Sequence, residues 1–245
     1  MAGQAAPTPS PPAGGIVTSG LAQHFDASNT DSYPGSGTEW FDLVSLGGAG
    51  YKFNLFNGVS YSTDLGGSLS FNGTNQYGTQ TGSNPTLKYP KGNDFTVQMF
   101  FQMGPDMASK GGEPFGKWTG SSTAYNYAVR WDRNNTTLRG AVYDLFNCNP
   151  GASATSPVLT QPDLVTMRVN WTTNTMDTIS SAEPDTASNT TIDCLVNIDN
   201  NDPLSLMRRG NNSNLVQGNV VAFLIYNRAL SDAEITQNYE YYRDR

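Results

Sequence analysis

The sequence predicts an all-β protein, a sandwich of two antiparallel sheets, and three observations carry that expectation. Charged residues make up only 14% of the chain, against about 25% in an average domain, while Gly, Asn, Ser and Thr are abundant, as in turn-rich β proteins. Several segments alternate apolar and polar residues with period two, the pattern of strands with one face on a core. Clusters of Gly, Asn, Pro and Ser break these segments at short intervals, as turns between strands require. The chain has 245 residues, a length that one large β domain of about 200–250 residues and an arm can fill.

Residues 1–17 read as the arm. MAGQAAPTPSPPAGG holds Pro7, Pro9, Pro11 and Pro12, which favour an extended polyproline-like segment. No Lys or Arg precedes Lys52 and no apolar run occurs there, so no secretory signal is expected. A segment with no apolar run cannot build a core of its own, and the arm is therefore expected to lie extended along a partner chain. Residues 18–245 read as the folded domain.

Along that domain, FTVQMFFQM places Val97, Met99, Phe101 and Met103 on one face and Thr96, Gln98 and Gln102 on the other, a strand half buried against a core. VTMRVNW repeats the device with Val165, Met167, Val169 and Trp171. YNYAVRW aligns Tyr125, Tyr127, Val129 and Trp131, and DRNNTT then has the chemistry of a hairpin turn before LRGAVYDLF. VVAFLIY, residues 220–226, is apolar on both faces, which predicts a central strand covered on each side. One helix is expected. In ALSDAEITQNYEYY, Ser231 and Glu234 stand in capping-box relation, with Leu230 and Ile235 as the staple around them. The helix is expected from residue 232, against the edge or end of the sandwich.

Charge and composition exclude some partners. A net charge of -7 with five lysines offers little for a phosphate backbone, so nucleic acid is not expected. No stretch approaches the roughly 18 consecutive apolar residues of a membrane span, so no membrane association is expected. Cys148 and Cys194 form one disulfide if their loops are neighbours, or remain two buried thiols, and the spacing leaves both open.

Three stretches carry a family resemblance: SYPGSGTEWFDL (32–43), GGSLSFNGTNQY (66–77) and IYNRALSDAEI (225–235). In that order they resemble landmarks of the laminin G-like jelly rolls in the concanavalin A-like lectin/glucanase superfamily. With LAQHFDASNTDSYPGSGTEW in front, the chain is most similar to modules of bacteriophage structural proteins, over residues 20–242. The resemblance implies a concanavalin A-like jelly roll with a short C-terminal helix. It also implies a non-enzymatic protein of the virion surface, such as a capsid decoration protein, docked through its arm on a major capsid protein or other virion proteins and forming a homo-oligomer. The alternative is a carbohydrate-binding module of a tail fibre or host-attachment protein, whose partner is a surface glycan.

The chemistry available agrees with a non-enzymatic reading. Hydrolases of the superfamily project carboxylates from alternate positions of one strand, so that acid and nucleophile stand about 5–5.5 Å apart. Here Glu39, Glu113, Glu183, Glu234 and Glu240 are scattered. The single histidine, His24, shares a strand face with Asp26, but no nucleophile motif accompanies it, and a histidine satisfied by its neighbours is the expectation. Calcium is common in laminin G-like sandwiches, yet the positions that are acidic in the family pattern are Asn72 and Gln76 here, and Val221 and Ala222 replace a second acidic pair. Asp199 and Asp202 remain as weak candidate ligands in a turn closed by Pro203, and no cofactor is expected. A sugar platform would need aromatic residues. Trp118, Tyr125, Tyr127 and Trp131 are the candidates, against a reading of the last three as a core stripe.

Overall fold

The structure, a computed structural model, describes residues 14–46, 50–81, 84–109, 111–117, 127–132, 137–142, 150–155, 161–182, 185–189, 192–194, 201–209 and 214–245. The strands follow in order as β1 (Leu21–Asp26), β2 (Glu39–Phe41), β3 (Lys52–Phe56), β4 (Ser60–Ser62), β5 (Ser68–Asn72), β6 (Tyr77–Gln80), β7 (Phe95–Met103) and β8 (Gly112–Lys117). Then come β9 (Tyr127–Asp132), β10 (Thr137–Val142), β11 (Gly151–Thr155), β12 (Asp163–Asn170), β13 (Thr175–Ser180), β14 (Asp185–Asn189), β15 (Leu204–Leu206), β16 (Gln217–Tyr226) and helix α1 (Asp232–Arg243). Sheet I has the order β14-β13-β12-β7-β16-β5-β4, with β1 on the free half of β16. Sheet II has the order β11-β10-β9-β8-β15-β6-β3-β2. The strand pairs are antiparallel, and the architecture is the predicted jelly-roll sandwich.

The main core lies between the sheets. Phe53 and Phe115 meet Phe223 edge to face at 5.6 and 5.5 Å, within the 4.5–7 Å range such pairs prefer. Trp40, from the SYPGSGTEWFDL stretch, is fully buried beside Phe25. β16 is the central strand that its sequence predicts, and a bulge shapes it. The register shift between Val220 and Ala222 leaves Val220, Phe223 and Ile225 in the inter-sheet core and turns Val221, Ala222, Leu224 and Tyr226 to the outer face.

That outer face is covered by α1, which lies across sheet I rather than at an edge or end of the sandwich. Leu230, Ile235 and Tyr242 pack there with Phe100, Leu164, Ile179 and Leu224, and an apolar outer surface on β16 is the physical reason the helix sits there. The helix begins as expected: the Ser231 hydroxyl accepts from Glu234 N, and the Glu234 carboxylate accepts from Ser231 N at 2.8 Å. β7 differs from its expected half burial. Thr96 and Gln98 are fully buried, because α1 and the turn before it supply their hydrogen bonds. The described end of the N-terminal segment also belongs to this layer. Val17 is buried in it, Val17 N donates to Asn238 Oδ1, and Gly15 O accepts from Gln237 Nε2. Pro7, Pro9, Pro11 and Pro12 lie outside the described residues.

Candidate functional site

Beyond the helix, the outer face of sheet I is open. The register places Ser60 of β4 opposite Ser70 of β5, Ser70 opposite Asn219 of β16, and Asn219 opposite Gln102 of β7. Alternation explains their common face, since Leu69, Phe71, Phe101, Met103 and Val220 point into the core. A second row pairs Gln217 with Asn72. Together these residues line a cleft of about 540 Å³, inside the range of roughly 300–1,000 Å³ typical of ligand sites. The lining holds amides and hydroxyls and no ionisable side chain. It therefore has hydrogen-bond donors and acceptors for neutral polar groups and no general acid or base.

The FNGTNQY hairpin forms one wall. Asn72 Oδ1 accepts from the backbone N–H groups of Thr74, Asn75 and Gln76 at 2.9, 3.1 and 3.3 Å, which closes the turn. Gln76 Oε1 accepts from Asn72 N, and its Nε2 donates to the carbonyls of Asn57 and Gly58 at 3.3 and 2.6 Å. The two amides thus hold backbone. An amide N–H₂ sits against a carbonyl pair of the kind a hard cation would otherwise seek. Gly73 has φ 65°, and a Cβ there would stand 2.8 Å from Gln217 Cβ, so the hairpin and β16 approach this closely only through glycine. Behind the wall, Tyr77 is stacked on Phe56 at 4.7 Å, with the Arg208 guanidinium 3.7 Å from its ring centre.

The cleft contains one unmet acceptor. Gln217 Oε1 is buried and has no hydrogen-bond partner, and it leans over Gly104, whose missing Cβ would lie 2.5 Å away. An orphaned buried carbonyl costs about 1–3 kcal/mol.

The sequence-predicted sites fall elsewhere. Tyr127 is in the inter-sheet core, 5.4 Å from Phe95 and 6.1 Å from Tyr89, so it is no sugar platform: an inward position on β9 makes it part of the core stripe. Trp118, Tyr125, Asp199 and Cys148 lie outside the described residues, as do the side chains of Trp131 and Cys194; Asp202 is half-buried ahead of β15. Among the described residues no three His, Cys, Asp or Glu side chains converge as metal ligands, and no helix is long and apolar enough to cross a membrane.

His24 and Asp26 do not assemble a triad. His24 Nε2 is bonded to the Tyr242 hydroxyl at 2.8 Å, while the Ser28 hydroxyl donates to Asp26 Oδ1, which leaves no serine on the imidazole. Asp26 Oδ2 is paired with Arg245 at 2.6 Å. Burial pushes the His24 pKa down to about 4, against the pull of Asp26 and with help from Arg245, and this histidine stays neutral at pH 7.

No protein-family model and no curated protein matches the chain. Solved structures do. The binding domain of Paraclostridial Mosquitocidal Protein 1 superposes with a TM-score of 0.69 at 15% identity, over 89% of this chain and 51% of that one. The binding domain of botulinum neurotoxin serotype D gives 0.66 at 11% identity, over 89% and 50%. Trypanosoma rangeli sialidase in complex with the inhibitor DANA gives 0.63 at 17% identity, over 94% and 34%. This chain spans about half the length of the toxin binding domains and about a third of the sialidase. The class defined by the fold is the two-sheet jelly-roll sandwich that these proteins share. At such identities the likeness concerns the fold alone.

Proposed function

We propose that the chain is a non-enzymatic recognition module that binds an uncharged carbohydrate in the open cleft of sheet I. The observation that carries this is the in-register row of Ser60, Ser70, Asn219 and Gln102, uncharged donors and acceptors spaced across a sheet face beside the unmet Gln217 carbonyl. Saccharide hydroxyls match that chemistry, and charged ligands do not. Two of the solved structures sharing the fold are binding domains, which supports a binding role. The cleft lacks the paired carboxylates that glycoside hydrolysis requires. Titration of the full chain against a panel of neutral oligosaccharides should give saturable binding, weakened about tenfold, or roughly 1.4 kcal/mol, by Gln102→Ala or Asn219→Ala. A wild-type chain that binds none of them, or variants that bind undiminished, would overturn the reading.

A second reading is favoured by the similarity of LAQHFDASNTDSYPGSGTEW to phage structural modules. In it the module decorates a virion surface, held on a major capsid protein or another virion protein through its proline-rich arm. Gly15 and Val17 contact α1, so the test deletes residues 1–13 only. The truncated domain should keep its thermal midpoint within about 2 °C while losing attachment to particles. Undiminished attachment would remove this reading and leave the cleft reading standing.

A further inference from the structure

We propose that the occupant of the sheet I cleft is a single linear chain of pyranose sugars lying across the strands, one sugar residue to each strand from β7 to β4. This deepens the carbohydrate reading and rests on it. Gln102, Asn219, Ser70 and Ser60 are consecutive cross-strand partners on β7, β16, β5 and β4, so the row offers one polar side chain per strand. Neighbouring strands stand about 4.7–4.9 Å apart, which carries the row over about 14 Å. The row has defined ends. β12 begins at Asp163, opposite Phe101, and so contributes no member beyond Gln102. At the other end β4 is the edge strand of sheet I, and Ser60 is exposed there.

A second row, Asn72 on β5 and Gln217 on β16, lies two residues further along the same strands, about 6.6–6.8 Å from the first. Between the rows the floor is backbone. Phe71 and Met103 send their side chains into the core, and Gly218 has none: a Cβ there would stand 2.2 Å from Gln102 O. On β7 the second row is left bare by Gly104, whose N–H donates to Gln217 O at 2.8 Å. The result is a trough that crosses the strands, with uncharged polar side chains along its sides. Its period selects the occupant. An extended peptide repeats every ~3.3–3.4 Å and falls out of step with a row of ~4.7–4.9 Å at once. A pyranose ring with its glycosidic oxygen spans roughly one inter-strand spacing and carries hydroxyls, donors and acceptors both, along its two long edges. Twist adds a second constraint. Neighbouring strands are rotated by about 20–25°, which accumulates to about 60–75° from β7 to β4. A single chain can follow that turn, and the flat face of a crystalline polysaccharide cannot.

The test titrates the full chain, by calorimetry, with cello-, laminari-, malto- and manno-oligosaccharides running from the monosaccharide to the hexasaccharide. In a series that binds, affinity should climb with each added residue up to the tetrasaccharide and then level off, with the hexasaccharide within about twofold of it. Ser60→Ala, at the exposed end of the row, should weaken the tetrasaccharide by about two- to tenfold, the worth of one hydrogen bond. The same variant should bind the disaccharide unchanged, since that ligand fits the inner positions. Its thermal midpoint should stay within about 2 °C of the wild type, which separates a lost subsite from a lost fold. Microcrystalline cellulose should not retain the protein. An affinity that stops rising before the tetrasaccharide or still climbs beyond it, a Ser60→Ala protein that binds the tetrasaccharide as tightly as the wild type, or retention on the crystalline surface would overturn the proposal and leave the carbohydrate reading standing. Binding of no length in any series would take down both.

Discussion

The outer face of β7 carries Thr96, Gln98, Phe100 and Gln102 in one line, and the two ends of that line meet opposite fates. At the helix end the polar groups are enclosed and satisfied. Thr96 Oγ1 donates to Arg228 O and accepts from Leu230 N. Gln98 Nε2 donates to Thr166 Oγ1 at 3.0 Å, and its Oε1 accepts from Asn238 Nδ2 at 2.7 Å. Asn238 also donates to the Tyr226 hydroxyl, which in turn donates to Val17 O. At the other end, past Phe100, Gln102 faces the cleft with Asn219 and Ser70. The same residue types on one sheet face serve as a sealed scaffold at one end and an open lining at the other, and the position of α1 makes the difference. A polar network can be buried when every member finds a partner. One left with an unmet group, such as Gln217 Oε1, carries a cost that the sealed network does not.

The comparison breaks most severely at Asn238. Asn238→Leu strips Gln98 Oε1 and Val17 N of partners beneath the helix and should lower unfolding free energy by about 3 kcal/mol in urea titration. A double variant with Gln98→Leu should recover part of that loss, because an apolar pair leaves fewer buried groups unmet. An Asn238→Leu protein as stable as the wild type would mean that the helix end is not sealed as described.

A smaller effect follows from acid. His24 lies under the last turn of α1 with its pKa lowered from 6.5 to about 4. Between those values the unfolded chain binds the proton first, so stability is complete above about pH 6.5 and declines as pH falls towards 4. Wild-type protein should lose on the order of 2 kcal/mol across that interval, and His24→Gln should flatten the slope. Equal slopes in the two proteins would remove His24 as the cause.

The open end should give the smallest stability change. Asn219→Ala and Ser70→Ala replace half-buried groups at the cleft and should shift unfolding free energy by no more than about 0.5 kcal/mol, measured by the same titration. A loss as large as that at Asn238 would make the cleft a second scaffold rather than a lining.

Much of this architecture was legible before folding. The alternation in FTVQMFFQM and VTMRVNW assigned the core faces of β7 and β12, and the doubly apolar VVAFLIY marked β16 as central. Ser231 and Glu234 placed the start of α1 to the residue. The cleft was less legible. Its members were visible as uncharged polar positions two apart in GGSLSFN and QGNVV and at Gln102, but nothing in those stretches says that β5, β16 and β7 are neighbours. Attention to aromatic residues pointed elsewhere, and Tyr127 shows why: an inward strand position reads the same whether its ring packs in a core or on a sugar.

By itself the sequence determined the period of each strand, the cap of the helix and the turn chemistry of FNGTNQY, because these depend on residues within a few positions of one another. Only the tertiary structure decided which polar faces would be covered. α1 sealed Gln98 and left Gln102 open, the register set Ser70 beside Asn219, and the bulge at Val221 turned an apolar surface outward for the helix. Those outcomes depend on pairing between segments far apart in the chain. Alternation specifies the face on which a residue lies, and not its neighbour across the sheet.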